Sequence, residues 1–244
     1  MIAKPGEDRV DPRRRPIQTL LKRVESRTLV ILGAAAGGLW AFLELGDDVG
    51  EGDTRAFDRN VLLAFRDPAD LNDPLGPRTF EEAMRDVTAL GGFTVLTLVT
   101  VVAVLAFLFH RKRLHAAVLV GAVLSAQLVS DIAKSFYDRP RPDLVAHGSY
   151  VYSASFPSGH SMLSATTYLT LAMLISSLEP TRATKVLAYV LAALIVVSVG
   201  LSRVYLGVHW PSDVIGGWAL GAAWSLLAWI VLLKLGSRPT PPRA

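Results

Sequence analysis

The sequence predicts an all-α fold: a polytopic membrane helix bundle of about six transmembrane helices, with an extracytoplasmic loop of amphipathic helices. Three observations predict it. Apolar residues make up 51% of the 244 and charged residues only 19%, and the apolar ones are clustered rather than spread. Six clusters, near 28–45, 93–109, 114–132, 162–178, 186–201 and 214–235, are each about 20 residues with few charges, enough to cross a bilayer. So many apolar runs in so short a chain leave little polar surface to cover them in a soluble protein. Finally, the basic segments alternate along the chain. "DPRRRP" and "LLKR" precede the first cluster, "HRKRLH" lies between the second and third, "PTRATK" between the fourth and fifth, and "KLGSRPTPPR" after the last. They fall on one side of the membrane, which the positive-inside rule makes cytoplasmic, with both termini. The net charge of +4 is therefore a topology signal and not a mark of nucleic-acid binding.

Taken in order, residues 1–27 are polar, without the apolar core or the small-residue cleavage site of a signal peptide. They read as a cytoplasmic tail before a retained anchor. Residues 28–235 form the membrane-embedded domain, and 236–244 a second cytoplasmic tail. The first outer segment, 46–92, holds two amphipathic helices. "FDRNVLLAF" puts Phe57, Val61, Leu62 and Phe65 on one helical face. "TFEEAMRDVTALGG" has Thr79 and Glu82 in capping-box spacing, apolar Phe80, Ala83, Met84, Val87 and Leu90, and a glycine stop. Such helices lie near the membrane interface. Two roles stay open for them: a lid or lipid guide over a site, or a stabilising cover on the bundle. The third cluster is interrupted by Gln127, Ser130 and Asp131 toward its end. Gly33 with Gly37, and Gly217 with Gly221, have the small-residue spacing that packs helices within a chain. His110 and His115 flank a basic cytoplasmic turn, and His147 reads as a solvated loop residue.

The other two outer segments, 133–161 and 202–213, carry the unusual chemistry. "KSFYDRPRPD" supplies Lys134, Arg139, Arg141 and Asp143. "FPSGH" supplies Ser158, Gly159 and His160. "LSRVYLGVHWPSD" supplies Ser202, Arg203, His209 and Asp213. The topology brings all of them to one end of the bundle, on the side where cations are disfavoured. Asp131 with Lys134, and Arg139 with Asp138 or Asp143, could simply pair. For Lys134, Arg141 and Arg203 together an anionic ligand is the better account, since guanidinium forks match phosphate oxygens and an ammonium adds a point charge. Pro157 and Ser158 suit a helix start. The free N–H groups of that first turn make an anion site, Gly159 leaves it unobstructed, and His160 stands beside it as a proton donor. His209 and Asp213, four apart beside Pro211, suit an imidazole whose one nitrogen is held by a carboxylate while the other is free to attack.

Other chemistries fit poorly. With no cysteine, disulfides, a thiolate metal site and a Cys nucleophile are excluded. The acidic residues are not clustered, and two histidines among cations are a poor metal site. Ser158 lacks the strand and glycine pattern of a nucleophile elbow.

These residues resemble the type 2 phosphatidic acid phosphatase superfamily, which shares its site with the vanadium haloperoxidases. Lys134, a gap of six, then Arg141-Pro142 matches its first block. Pro157-Ser158-Gly159-His160 matches the second. Ser202-Arg203, a gap of five, His209, a gap of three and Asp213 match the third. All three stand in order with their spacing intact, and the hydropathy resembles the integral membrane lipid phosphatase branch. The resemblance implies that His209 attacks phosphorus and forms a phosphohistidine, that Asp213 orients it, and that His160 protonates the leaving group. It implies that Lys134, Arg141, Ser158, the Gly159 backbone and Arg203 hold the phosphoryl oxygens, with no cofactor and no metal. The substrate it implies is a lipid phosphate or diphosphate of the undecaprenyl diphosphate, phosphatidylglycerophosphate, phosphatidate or lipid A phosphate type. The place it implies is the bacterial cytoplasmic membrane, with the site facing outside. The alternative is a non-catalytic membrane binder or transporter of a phosphorylated lipid. The sequence carries no signal for oligomeric state.

Overall fold

The computed structural model describes residues 14–148 and 153–236, with side chains from Ser26 onward. Its elements run α1 (Arg14–Glu51), α2 (Arg55–Leu63), β1 (Arg66–Asp67), β2 (Asp70–Pro74), α3 (Arg78–Ala89), α4 (Phe93–Phe109), α5 (Arg113–Tyr137), α6 (Gly159–Leu178), α7 (Arg182–Tyr205) and α8 (Pro211–Gly236). Five helices are long and apolar enough to cross a membrane: α1 from Ser26, α5, α6, α7 and α8. The sixth span is broken. α4 has only 17 residues, and it meets α3 at a 48° bend across Gly91-Gly92.

α6 is the axis of the bundle. It packs on α5, α7 and α8, and α1 packs on α8, with Phe42 in one apolar cluster with Met162 of α6 and Ala126 of α5. Its apolar stretch is 67% buried against 22% for α7, whose Val186, Leu187 and Leu194 face outward. That contrast fits a bundle surrounded by lipid, where apolar side chains need no protein cover. Small residues let α8 approach α6 closely: a Cβ on Gly217 would lie 2.7 Å from the Ser158 carbonyl oxygen, and one on Gly221 would strike the Met162 carbonyl. The expected in-chain packing role thus falls to Gly217 and Gly221. Gly33 and Gly37 meet nothing within 4 Å among the described residues; Gly38 is the α1 glycine that faces α8.

The outer cap differs from expectation in four ways. α1 continues to Glu51, so the outer segment begins several residues later than 46. The inward face of α2 is Asp58 and Leu62, both buried, followed by half-buried Phe65, whereas Phe57 is 47% exposed. The face is rotated because a buried carboxylate, not a phenylalanine, occupies it. Thr79 is no cap: the N-cap position of α3 is Pro77, with no side-chain cap bond. A short antiparallel hairpin, β1–β2, also joins α2 to α3, its turn built by Asp67 and Asp70 carboxylates accepting from the Ala69 and Asn72 backbone N–H groups. The glycine stop holds, since α3 ends at Ala89 just before Gly91. Met84 packs against the Tyr205–Val208 turn, so α3 covers the end of α7. Of the expected tails, 1–13 and 237–244 lie outside the described residues, and from Arg14 the N-terminal stretch is already helix.

Candidate active site

Ser158 caps α6. Its Oγ accepts from the Ser161 N–H at 3.4 Å and from the Ser161 hydroxyl at 3.0 Å, which leaves the Ser158 O–H itself as an available donor. The helix then opens at Gly159, where a Cβ would stand 3.5 Å from Lys134 Cε. That is ordinary contact distance, so Gly159 sits directly beside the Lys134 side chain at the positive end of the helix dipole. His160 follows in the first turn. Gly91, at the α3–α4 bend, walls it in: a Cβ there would be 3.1 Å from the His160 carbonyl and 3.3 Å from its Cβ. Arg203, His209, Lys134 and Arg141 all lie within electrostatic reach of the His160 ring.

His209 sits on the turn that leads from α7 into α8. Gly207 reverses the chain there with φ of +71°, a value that favours glycine, and Pro211 starts the next helix. The imidazole is buried, 2% exposed. Its Nδ1 is 3.3 Å from Asp213 Oδ2 and its Nε2 is 3.1 Å from Arg141 Nη1. A guanidinium only donates, so Nε2 must carry the lone pair and Nδ1 the proton facing Asp213. The tautomer is thereby fixed from both sides. Burial, then Arg203, Arg141 and Lys134, push the His209 pKa well below the ordinary imidazole value, so the ring is neutral.

Three cations complete the site. Lys134 Nζ donates to the Ala154 carbonyl at 2.7 Å. Arg141 donates to the carbonyls of Ser153 at 2.8 Å and Val208 at 2.7 Å. Arg203, 2% exposed, donates from Nη1 to Thr88 Oγ1 at 3.0 Å, while its buried Nε has no hydrogen-bond partner among the described residues. Among the described residues none of the three makes a salt bridge. The pairing of Lys134 with Asp131 read from the i,i+3 spacing is absent; Asp131 instead accepts from Gln127 Nε2 at 3.0 Å, on the outside of α5.

All eight residues singled out in the sequence, Lys134, Arg141, Ser158, Gly159, His160, Arg203, His209 and Asp213, meet at one end of the bundle. The sequence reading missed what holds them. The pairing of Arg139 with Asp138 or Asp143 that the spacing allows is not the one formed: Arg139 bridges Asp213 at 2.6 Å and Asp58 at 2.7 Å, and its guanidinium lies 5.7 Å from the centre of the Trp210 ring. The buried Ser155 hydroxyl donates to Asp213 Oδ2, the same oxygen that accepts the Trp210 N–H at 2.8 Å. Thr88, from α3, holds Arg203. Asp58 was the legible signal, an acid inside an apolar helical stripe. Ser155 and Thr88 gave none. His147 stays outside the site, its Nε2 2.7 Å from the Pro142 carbonyl.

With this geometry in hand, the chain can be set beside known proteins. Residues 115–237 match the model of the PAP2 superfamily. The chain is 37% identical over 143 residues to phosphatidylglycerophosphatase B of Bacillus subtilis (strain 168), covering 57% of this chain and 69% of that one. It is 32% identical over 146 residues to an undecaprenyl-diphosphatase of Sulfolobus acidocaldarius, covering 58% and 64%. A crystal structure of a transmembrane PAP2 type phosphatidylglycerolphosphate phosphatase from Bacillus subtilis superposes with a TM-score of 0.71 at 28% identity, over 86% of this chain and 98% of that one. The match spans half the chain and contains every block that the site is built from: this is a member of the PAP2 superfamily, and an integral membrane one.

Proposed function

We propose that the protein is a metal-independent lipid phosphate or diphosphate phosphatase that works through a phosphohistidine at His209, on the extracytoplasmic face of the cytoplasmic membrane. The observation that carries this reading is the set of three cations, Lys134, Arg141 and Arg203, none of them in a salt bridge among the described residues, gathered around a neutral imidazole whose tautomer is fixed for attack. The buried Arg203 Nε adds to it: like Arg66 Nε outside the site it has no acceptor among the described residues, and at Arg203 a phosphoryl oxygen would supply one.

In the proposed reaction a phosphoryl group enters between the cations and draws Arg141 from His209 Nε2 onto its own oxygens. That frees the lone pair for in-line attack. The Nε2–P bond forms as the lipid P–O bond breaks, His160 donates its proton to the leaving oxygen, and Asp213 offsets the charge growing on the His209 ring. The phosphoryl dianion is the counter-charge that an imidazolium at His160 needs among four basic neighbours. Water then attacks phosphorus with His160 as base, and phosphate leaves. The cations take the part that a divalent ion plays elsewhere, stabilising charge on the equatorial oxygens; among the described residues no group of three or more His, Cys, Asp or Glu gathers.

The substrate class rests on two supports: the relatives act on lipid phosphates by name, and a site at the mouth of a membrane bundle suits an amphiphile whose head reaches water. We take 28–235 as the working unit, with 1–27 and 236–244 as cytoplasmic tails. The test is phosphate release by the purified full chain from phosphatidylglycerophosphate, phosphatidate, undecaprenyl diphosphate and lipid A in mixed micelles, with and without chelator. Release that survives chelator and is blocked by vanadate supports the reading. Activity that disappears in chelator and returns with Mg²⁺ overturns the metal-independent mechanism.

A further inference from the structure

Asp58 belongs to α2, outside the segment 115–237 that matches the family model. It is a carboxylate only 1% exposed. A buried carboxylate is expensive unless it is fully bonded, and this one is. Its Oδ1 accepts from the Ser212 backbone N–H at 2.8 Å; its Oδ2 accepts from the Ser212 hydroxyl at 2.7 Å and from Arg139 Nη2 at 2.7 Å. Arg139 Nη1 in turn donates to Asp213 Oδ1 at 2.6 Å and to Ser212 Oγ at 2.7 Å. The chain of contacts from α2 therefore ends on the carboxylate that holds His209.

We propose that Asp58 is a positioning residue for phosphoryl transfer: through Arg139 and Ser212 it fixes both the orientation and the effective charge of Asp213. This rests on the reading of His209 and Asp213 given above. The charge argument is simple arithmetic. Asp58, Arg139 and Asp213 sum to −1, so Asp213 shares the Arg139 charge with Asp58 and keeps more negative charge for the imidazole than it would facing Arg139 alone; Lys134 and Arg141 face Asp213 as well, and do so in every variant. Without the Asp58 charge the remaining pair sums to zero, and the Arg139 guanidinium leans on Asp213 alone. The His209 ring then faces a neutralised partner, and the positive charge that grows on it during attack is less well offset. Lys134, Arg141 and Arg203 do not touch Asp58, so ligand binding is spared. The bland alternative is that Asp58 only caps α8, whose second residue is Ser212. A cap needs an acceptor and no charge, because asparagine does it as well as aspartate, so the two roles are separable.

The experiment compares D58N, D58E and D58N/R139Q with the wild-type chain, on whichever lipid of the four it turns over fastest, with H209A as control. D58N keeps an acceptor for Ser212 and removes the charge. It is expected to lower kcat by about 10–100-fold, the scale seen when a partner that orients a metal ligand is lost, with KM nearly unchanged. D58E is expected to retain more activity than D58N. The double variant D58N/R139Q removes both charges, returns Asp213 to −1, and is expected to recover much of the lost kcat. Asp58 and Arg139 touch, so their losses need not add even where the role is structural, and melting temperature is therefore read beside kcat: a merely structural role moves the two together, whereas positioning restores kcat without a matching gain in melting temperature. Wild-type kcat in D58N, or a double variant no better than D58N, overturns the proposal. Should D58N alone fail to fold, the double variant must still fold and turn over, and its inactivity overturns the proposal too. If H209A is as active as the wild type, it is the underlying reading that has failed; an inactive H209A beside a fully active D58N refutes this inference alone.

Discussion

At the scale of the residue, two imidazoles in one cluster are assigned opposite tasks by what touches them. His209 is enclosed, bonded at both nitrogens and neutral; His160 has a wall of backbone on one side and cations on the other. Their loss should therefore read differently. H160A removes a proton donor, an expected loss of roughly 10²–10⁴-fold that shrinks for a substrate with a good leaving group. D213N should keep the fold and lower kcat, because an amide in place of the carboxylate favours the wrong tautomer of His209; equal kcat in D213N and wild type would contradict the arrangement. The depressed pKa of His209 also has a consequence for stability. The folded chain refuses a proton that the unfolded chain accepts below the ordinary value of 6.5, so this contribution to stability is present above pH 6.5 and is lost as pH falls from there toward the folded value. Thermal denaturation in detergent should show a melting temperature that falls with pH below 6.5 in the wild type and falls less in H209Q. Parallel curves would contradict the assigned neutral state.

At the scale of the element, each span end contributes one part: the C-terminal ends of α5 and α7 bring Lys134 and Arg203, the N-terminal ends of α6 and α8 bring His160 and Asp213. These ends were legible because proline, serine and glycine punctuate them and because a charge in an apolar run stands out. The outer helices were legible as amphipathic but not in their role. Beside the two roles read from the sequence, they bond to the site itself: α2 reaches Asp213 through Asp58 and Arg139, and α3 reaches Arg203 through Thr88. Their faces were misjudged because buried bonding, not hydrophobicity, decides which way α2 turns. Counting the bent α3–α4 pair as one span makes six crossings with both ends of the bundle on one side, so sidedness is a sharp test. In this cysteine-free chain, single cysteines at the exposed positions 147 and 112 report opposite faces. An impermeant thiol reagent on intact cells should label H147C and not K112C; the reverse pattern would refute the orientation.

At the scale of the whole molecule, the bundle is a scaffold whose central helix, α6, is largely buried as far as Leu174, with its N-terminal end packed against α8. The eight residues of the site fall in three short blocks, and for that reason the chain's pattern alone brought them together. Arg139, Ser155, Thr88 and Asp58 are scattered over about a hundred residues and joined only by the fold, so no spacing could announce Arg139 as the partner of Asp213. The account stands on covalent chemistry at His209, and one measurement reaches it directly. Wild-type protein mixed with a lipid substrate labelled at phosphorus, and quenched in base within the first turnover, should carry label on the chain that is stable to base, labile to acid and located on the peptide containing His209. H209A should carry none and release no phosphate. Label on any other residue, or undiminished phosphate release by H209A, would contradict the account.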